Sequence, residues 1–138
     1  MKMISIITLG VREIQKAAEF YEALGFDRSE KSDDNIVWFR TGSTVLGLYL
    51  WDALADDVGM PPGGSGFRGI TLALNMSSKN DVDNMIERVR SLGAFIIKEP
   101  QDVFWGGYSS YFRDVDGHLW EVAWNPFTEV DEEGRLSL

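Results

Sequence analysis

An α+β fold built from two tandem βαβββ modules is predicted by three observations. A helix-period apolar stripe occurs twice, each copy follows a strand rich in β-branched residues, and each precedes a pair of strand-like segments. The stripe Ile14, Ala17, Ala18, Tyr21, Leu24, closed by Gly25, returns 68 residues later as Val82, Met85, Ile86, Val89, Leu92, closed by Gly93. The segment Trp38-Phe39-Arg40 returns as Tyr111-Phe112-Arg113, and Leu46, Leu48 and Trp51 return as Leu119, Glu121 and Trp124, both at an offset of 73. The leading strand Ile6–Val11 corresponds to Gly69–Leu74 at an offset of 63. Two such halves are expected to pack as a pseudo-symmetric pair, with a cleft between their sheets.

The elements follow in order. Ile4–Gly10 reads as a strand. Glu13–Leu24 reads as a helix, because its i, i+3, i+4, i+7 spacing places the apolar side chains on one face. Gly25 is placed for a left-handed C-terminal cap. Phe26–Lys31 is expected as a short strand, Asp33-Asp34-Asn35 as a turn, and Ile36–Arg40 with Thr44–Trp51 as a hairpin. Residues 52–66 combine acidic side chains with Pro61-Pro62-Gly63-Gly64-Ser65-Gly66, which is linker chemistry. In the second half, Phe67–Asn75 reads as a strand, and Ser78-Lys79-Asn80-Asp81 resembles a capping box before a helix ending at Leu92. Ala94–Lys98 reads as a strand broken by Glu99-Pro100-Gln101-Asp102. Residues 103–107 form an aromatic, glycine-rich loop. Gly107–Arg113 and Leu119–Trp124 form a hairpin turned by Asp114-Val115-Asp116-Gly117. The organisation is therefore module one 4–51, linker 52–66, module two 67–126 and an acidic surface tail 127–138.

A chain of 138 residues fits one compact domain. With aromatics at 12 % and five Trp, it can supply both a core and a lined pocket. There is no long uncharged apolar run, so no membrane span is expected. Met1–Ile4 leads straight into a strand without a signal-peptide plan, which points to a cytoplasmic protein. Cysteine is absent, which excludes disulfides, thiolate catalysis and cysteine-ligated zinc. A net charge of −9 argues against nucleic acid as a partner and suits either simple solubility or a cationic ligand.

Three segments resemble the vicinal oxygen chelate superfamily of glyoxalases, bleomycin-resistance proteins and extradiol dioxygenases. They are Ile7-Thr8-Leu9-Gly10-Val11-Arg12, the helix end Phe20-Tyr21-Glu22-Ala23-Leu24-Gly25-Phe26, and the hairpin Phe112-Arg113-Asp114-Val115-Asp116-Gly117-His118-Leu119-Trp120-Glu121. In the last, Val115 replaces the family's proline. The resemblance covers residues 4–126. It implies a U-shaped, partly closed mixed sheet around a cavity, and a homodimer that completes the cavity. Metal-dependent members draw one His or Gln from the first strand of each module and one Glu from the last. The matching positions here are Ile6, Leu48, Gly69 and Glu121, with Gly47 as the alternative to Leu48. Only Glu121 can ligate. No metal ion and no cofactor are therefore expected, because a usable site needs several N or O ligands. The single His118 lies three residues before Glu121, so in a strand the two point to opposite faces.

Glu121 is the candidate for binding a cationic ligand or for general acid–base work. It is equally read as a relic neutralised by Arg40, Arg113 or water. Trp38, Phe39, Leu48, Trp105, Tyr108 and Tyr111 join it as candidate ligand-binding residues. Trp105 and Tyr108 flank a double glycine as an aromatic wall. Phe39 and Phe112 alternate with Trp38 and Tyr111, so the two pairs cannot share one face. Asp114 and Asp116 are turn formers, and His118 is expected either to close the Asp116-Gly117 turn or to sit on the surface. The leading expectation is a glyoxalase- or bleomycin-resistance-like protein without an intact metal site, holding a small cationic or aromatic organic ligand. The alternatives are a metal-free isomerase or lyase that uses Glu121, and a protein-interaction module whose cleft is filled.

Overall fold

The computed structural model describes residues 2–137, and the chain divides into two units after Arg68. The first contains β1 (Ile6–Val11), α1 (Ile14–Ala23), β2 (Asp27–Arg28), β3 (Ile36–Thr41), β4 (Thr44–Leu50) and α2 (Trp51–Val58). Its sheet runs β1-β4-β3-β2, with β1 parallel to β4 and the other pairs antiparallel. Alternation divides the side chains between two faces. Leu9, Val11, Val37, Phe39, Leu46 and Leu48 are buried, as are Ile14, Ala17, Ala18, Tyr21 and Leu24 from α1 and its cap. Tyr21 sits at the centre of this core, with ring centroids 5.6 Å from Phe26 and 6.1 Å from Phe39. Gly25 takes φ +104° and Phe26 N–H donates to the Tyr21 carbonyl, which ends α1 as a left-handed cap requires.

The second unit contains β5 (Leu72–Asn75), α3 (Lys79–Ser91), β6 (Phe95–Asp102), β7 (Tyr108–Arg113), β8 (Leu119–Trp124), β9 (Glu129–Val130) and β10 (Leu136–Ser137). Its main sheet runs β5-β8-β7-β6, the order of the first unit with corresponding strands in corresponding places. Val82, Ile86 and Val89 of α3 are buried, as are Phe112, Trp120 and Val122 of the sheet. Phe112 and Trp120 stack with centroids 6.3 Å apart. Ser78 Oγ accepts from Asp81 N–H at 3.1 Å and caps α3. The turn between β7 and β8 is closed by Asp114, whose Oδ1 accepts from Asp116 N–H and His118 N–H at 3.0 and 2.9 Å.

Four stretches depart from the sequence reading. Residues 51–58, expected as strand end and linker, form α2; they contain neither Gly nor Pro, and Gly59 at φ +82° stops the helix before the proline pair. The strand β6 continues through Glu99-Pro100-Gln101-Asp102 instead of breaking there. It is an edge strand with register irregularities, so the N–H that Pro100 lacks removes no ladder bond from a central strand. β5 begins at Leu72, leaving Gly69 outside it with φ +79°. The tail is not featureless: β9 and β10 pair across a turn in which Asp131 accepts from Glu133 and Arg135 N–H, both at 2.9 Å.

Candidate functional site

The hydrogen-bond registers define one row of side chains in each sheet, on the face turned away from its helix. In the second unit the row is Ala73–Glu121–Tyr111, and in the first it is Thr8–Gly47–Trp38. Directly paired residues on neighbouring strands point to the same face. Gly47, not Leu48, is therefore the counterpart of Glu121. The slip arises at the hairpin ends. Arg40 pairs with Val45, whereas Arg113 pairs with Leu119, so the second turn holds one residue more. The same registers align Thr8 with Ala73, so Ile6 and Gly69 do not occupy corresponding places.

The two rows are filled differently. Tyr111 donates its hydroxyl to Glu121 Oε2 at 2.9 Å, and both side chains are partly buried. Burial pushes the Tyr111 phenol up, and the bond to the Glu121 carboxylate and its charge push it further. In the first unit, a Cβ at Gly47 would lie 2.8 Å from Trp38 Cζ3. The Trp38 indole thus occupies the space where the second unit has a carboxylate and a phenol.

The other expected site residues separate. Phe39 and Leu48 are fully buried on the α1 side of their sheet, opposite Trp38, and leave the set of ligand-binding candidates. Both fall at strand positions whose alternation puts them in the core. Tyr108 lies on the α3 side of the second sheet, where its hydroxyl donates to Asp83 of α3 at 2.7 Å. The carboxylate of Asp83 raises its pKa to about 12. Tyr108 is therefore not part of the Glu121 face. Trp105 lies over Gly107, where any side chain would collide with the indole, and is partly exposed. The expected arginine neutralisation of Glu121 is absent among the described residues. Arg40 instead pairs with Asp27 at 2.7 Å, and Arg113 stacks on Phe95 at 4.4 Å.

What remains at Glu121 is a carboxylate oriented by a phenol. It can accept from an ammonium, guanidinium or hydroxyl donor, and it can take a proton. Among the described residues there is no group of three or more His, Cys, Asp or Glu that could hold a metal ion. Of the register-matched positions, Gly47 and Ala73 supply no side-chain donor, and Thr8 carries only a hydroxyl. These residues do not fit a four-ligand metal centre of the kind the resemblance implies.

A second feature had no sequence signal. A groove of about 710 Å³ opens in the first unit at the ends of β1 and β4, with Trp51 and Arg12 in its lining. Arg12, Trp51 and Arg68 are far apart in the chain, and no local pattern links them.

The model of the Glyoxalase/Bleomycin resistance protein/Dioxygenase superfamily matches residues 3–122. The chain is 30 % identical over 121 residues to the fosfomycin resistance protein FosX of Listeria innocua, covering 86 % of each. A glyoxalase-related enzyme from Fulvimarina pelagi superposes with a TM-score of 0.89 at 27 % identity, covering 100 % of this chain and 99 % of that one. A glyoxalase/bleomycin resistance protein/dioxygenase family enzyme from Burkholderia phytofirmans shares the fold with a TM-score of 0.77 at 20 % identity, covering 87 % of this chain and 96 % of that one. No helix among the described residues is long and apolar enough to cross a membrane. The motifs, the paired sheets and these similarities lead to one conclusion: the chain belongs to the glyoxalase/bleomycin resistance protein/dioxygenase superfamily.

Proposed function

We propose that this superfamily member binds a small organic molecule through Glu121, without a resident metal ion. The observation that carries the reading is the Tyr111–Glu121 pair on the sheet face away from α3. The Tyr111 hydroxyl engages Oε2 at 2.9 Å and fixes the carboxylate. A ligand bearing a cationic or hydroxyl donor can then be held at low orientational cost, because the acceptor is already in place. Similarity to a fosfomycin resistance protein supports an antibiotic or another small organic compound as the ligand class. The lack of a nitrogen or carboxylate donor at Thr8, Gly47 and Ala73, the positions that share the two rows, supports a metal-independent role.

The same pair favours a second reading, a metal-free acid–base catalyst. The Tyr111 hydroxyl lies within hydrogen-bond distance of a carboxylate that can accept a substrate proton, so the phenol would hold the base in position. Glu121→Gln separates the readings. Under binding alone, affinity for cationic aromatic probes falls by about tenfold or more, as expected for loss of a charge-assisted bond. Under catalysis, turnover is lost while binding of neutral analogues persists. Thermal-shift and calorimetric titrations measure the first, and single-turnover assays the second. One retained equivalent of Ni, Zn, Fe or Mn after dialysis overturns the metal-independent reading.

A further inference from the structure

Resting on the reading of Glu121 as a ligand-binding carboxylate, we propose that Ser109 and Asn75 extend that site into a subsite for a hydroxyl group. The molecule taken there is then a small amino alcohol, with its ammonium on Glu121 and its hydroxyl between Ser109 and Asn75.

One row beyond Glu121, Ser109 of β7 pairs with Ala123 of β8, and Ala123 pairs with Asn75 of β5. Residues two apart on a strand share a face. The row Ser109–Ala123–Asn75 therefore lies on the same side of the sheet as Tyr111–Glu121–Ala73. Glu121 and Ser109 are diagonal neighbours across β7 and β8, roughly 7–8 Å apart. Both rows lie within the second unit.

Ser109 is 7 % exposed, yet its hydroxyl makes no hydrogen bond among the described residues. Buried polar groups in folded chains are nearly always paired, because an unpaired one costs free energy. Ser110, on the opposite face, follows that rule and donates to the Val122 carbonyl at 2.7 Å. The Ser109 hydroxyl is not sealed in. Among the described residues, Thr128 Oγ1 is the one buried side-chain polar atom that is both unpaired and closed to solvent. Ser109 Oγ thus faces space that a water-sized group reaches. The half-buried Asn75 amide also makes no side-chain hydrogen bond among the described residues. Tyr111 holds Glu121 through Oε2, and Oε1 accepts from no described residue. Ala123 presents only a methyl group between Ser109 and Asn75.

The chemistry of these groups selects the ligand. A serine hydroxyl and an asparagine amide each donate and accept, and a ligand hydroxyl does the same. Glu121 Oε1 only accepts, and a charge-assisted bond from an ammonium is the strongest it can take. An ammonium and a hydroxyl two carbons apart suit two neighbouring rows, since each reaches its partner through a hydrogen bond of about 2.8–3.0 Å. A ligand carboxylate in place of the hydroxyl would lie close to the charge of Glu121 and be repelled. A site built to bond a ligand hydroxyl discriminates against the analogue that lacks it.

The test is calorimetric titration of the whole protein with phenethylamine and with β-hydroxyphenethylamine, which differ by one hydroxyl. The hydroxylated amine is expected to bind about five- to tenfold more tightly. Ser109→Ala should remove most of that gain and leave phenethylamine affinity unchanged, and Asn75→Ala, on the edge strand, should remove part of it. Neither variant should lower the Tm of the free protein by more than a few degrees, because neither side chain has a partner to lose. Glu121→Gln should weaken both amines. The proposal is overturned if the parent binds the two amines equally, or if folded Ser109→Ala keeps the full gain. If neither amine binds, or Glu121→Gln binds both as the parent does, the Glu121 reading falls and takes the hydroxyl subsite with it.

Discussion

Gly47→Ala tests the finding that an indole replaces the acidic site in the first unit. The new methyl carbon would lie 2.8 Å from Trp38 Cζ3 and 3.1 Å from Cε3. Carbon atoms prefer roughly 3.5–4.0 Å, so the ring must retreat by about 1 Å. Overpacking of this kind costs roughly 1–3 kcal/mol. Gly47 has no positive φ, so the backbone accepts alanine, and the stiffer unfolded chain returns about 0.4–1 kcal/mol. The net expectation is a loss of about 1–2 kcal/mol, a fall in Tm of roughly 3–8 °C for a chain of this size. Urea and thermal unfolding would measure it, followed by near-ultraviolet circular dichroism or tryptophan fluorescence. In a Trp38→Val background the clash disappears and the same alanine should become neutral or mildly stabilising. That reversal of sign is the decisive result. If alanine at 47 stabilises the protein in both backgrounds, the indole does not fill the position and the comparison of the two rows fails.

Two further perturbations probe the second unit. Tyr108 has its pKa raised from 10.0 to about 12 by its bond to Asp83, so its stabilisation is complete below pH 10 and disappears as pH rises to about 12. Absorbance titration should show one tyrosine ionising late, and Asp83→Asn should return it toward the ordinary range; no change in Asp83→Asn would contradict the pair. Ser78→Ala should cost about 1 kcal/mol by removing the N-cap of α3, whereas Ser78→Asp should be nearly neutral, both read from urea unfolding midpoints.

Much of the fold was legible because its signals are local. The stripes that end at Gly25 and Gly93 specify α1 and α3, and the buried residues Ala18, Tyr21, Val82 and Val89 are those the spacing selects. The acidic turn at Asp114 was legible for the same reason, since its hydrogen bonds stay within five residues. The helix α2 was not, because a proline-glycine run beside it dominated the local composition. The full length of β6 is not legible, because Pro100 is a breaker in general and tolerable only at an edge, and sequence does not say which strand is the edge.

The candidate site was legible in part. Glu121 and Tyr111 share a face because both sit on strands with period-two alternation, and their separation along the chain spans one hairpin. Phe39, Leu48 and Tyr108 have side chains of a kind suited to ligand contact, whereas their faces turn them toward the helices. Trp51, Arg12 and Arg68 meet only through the path of the chain after β4.

By itself the sequence determined the duplicated βαβββ plan and the caps of its two long helices, since these depend on residue type and short-range spacing. Only the tertiary structure decided that Gly47 holds in the first sheet the register place that Glu121 holds in the second, that Trp38 packs over Gly47, and that two arginines approach Trp51. Strand register and long-range approach are set by turn length and packing, and a single residue added to a hairpin moves every partner across the sheet.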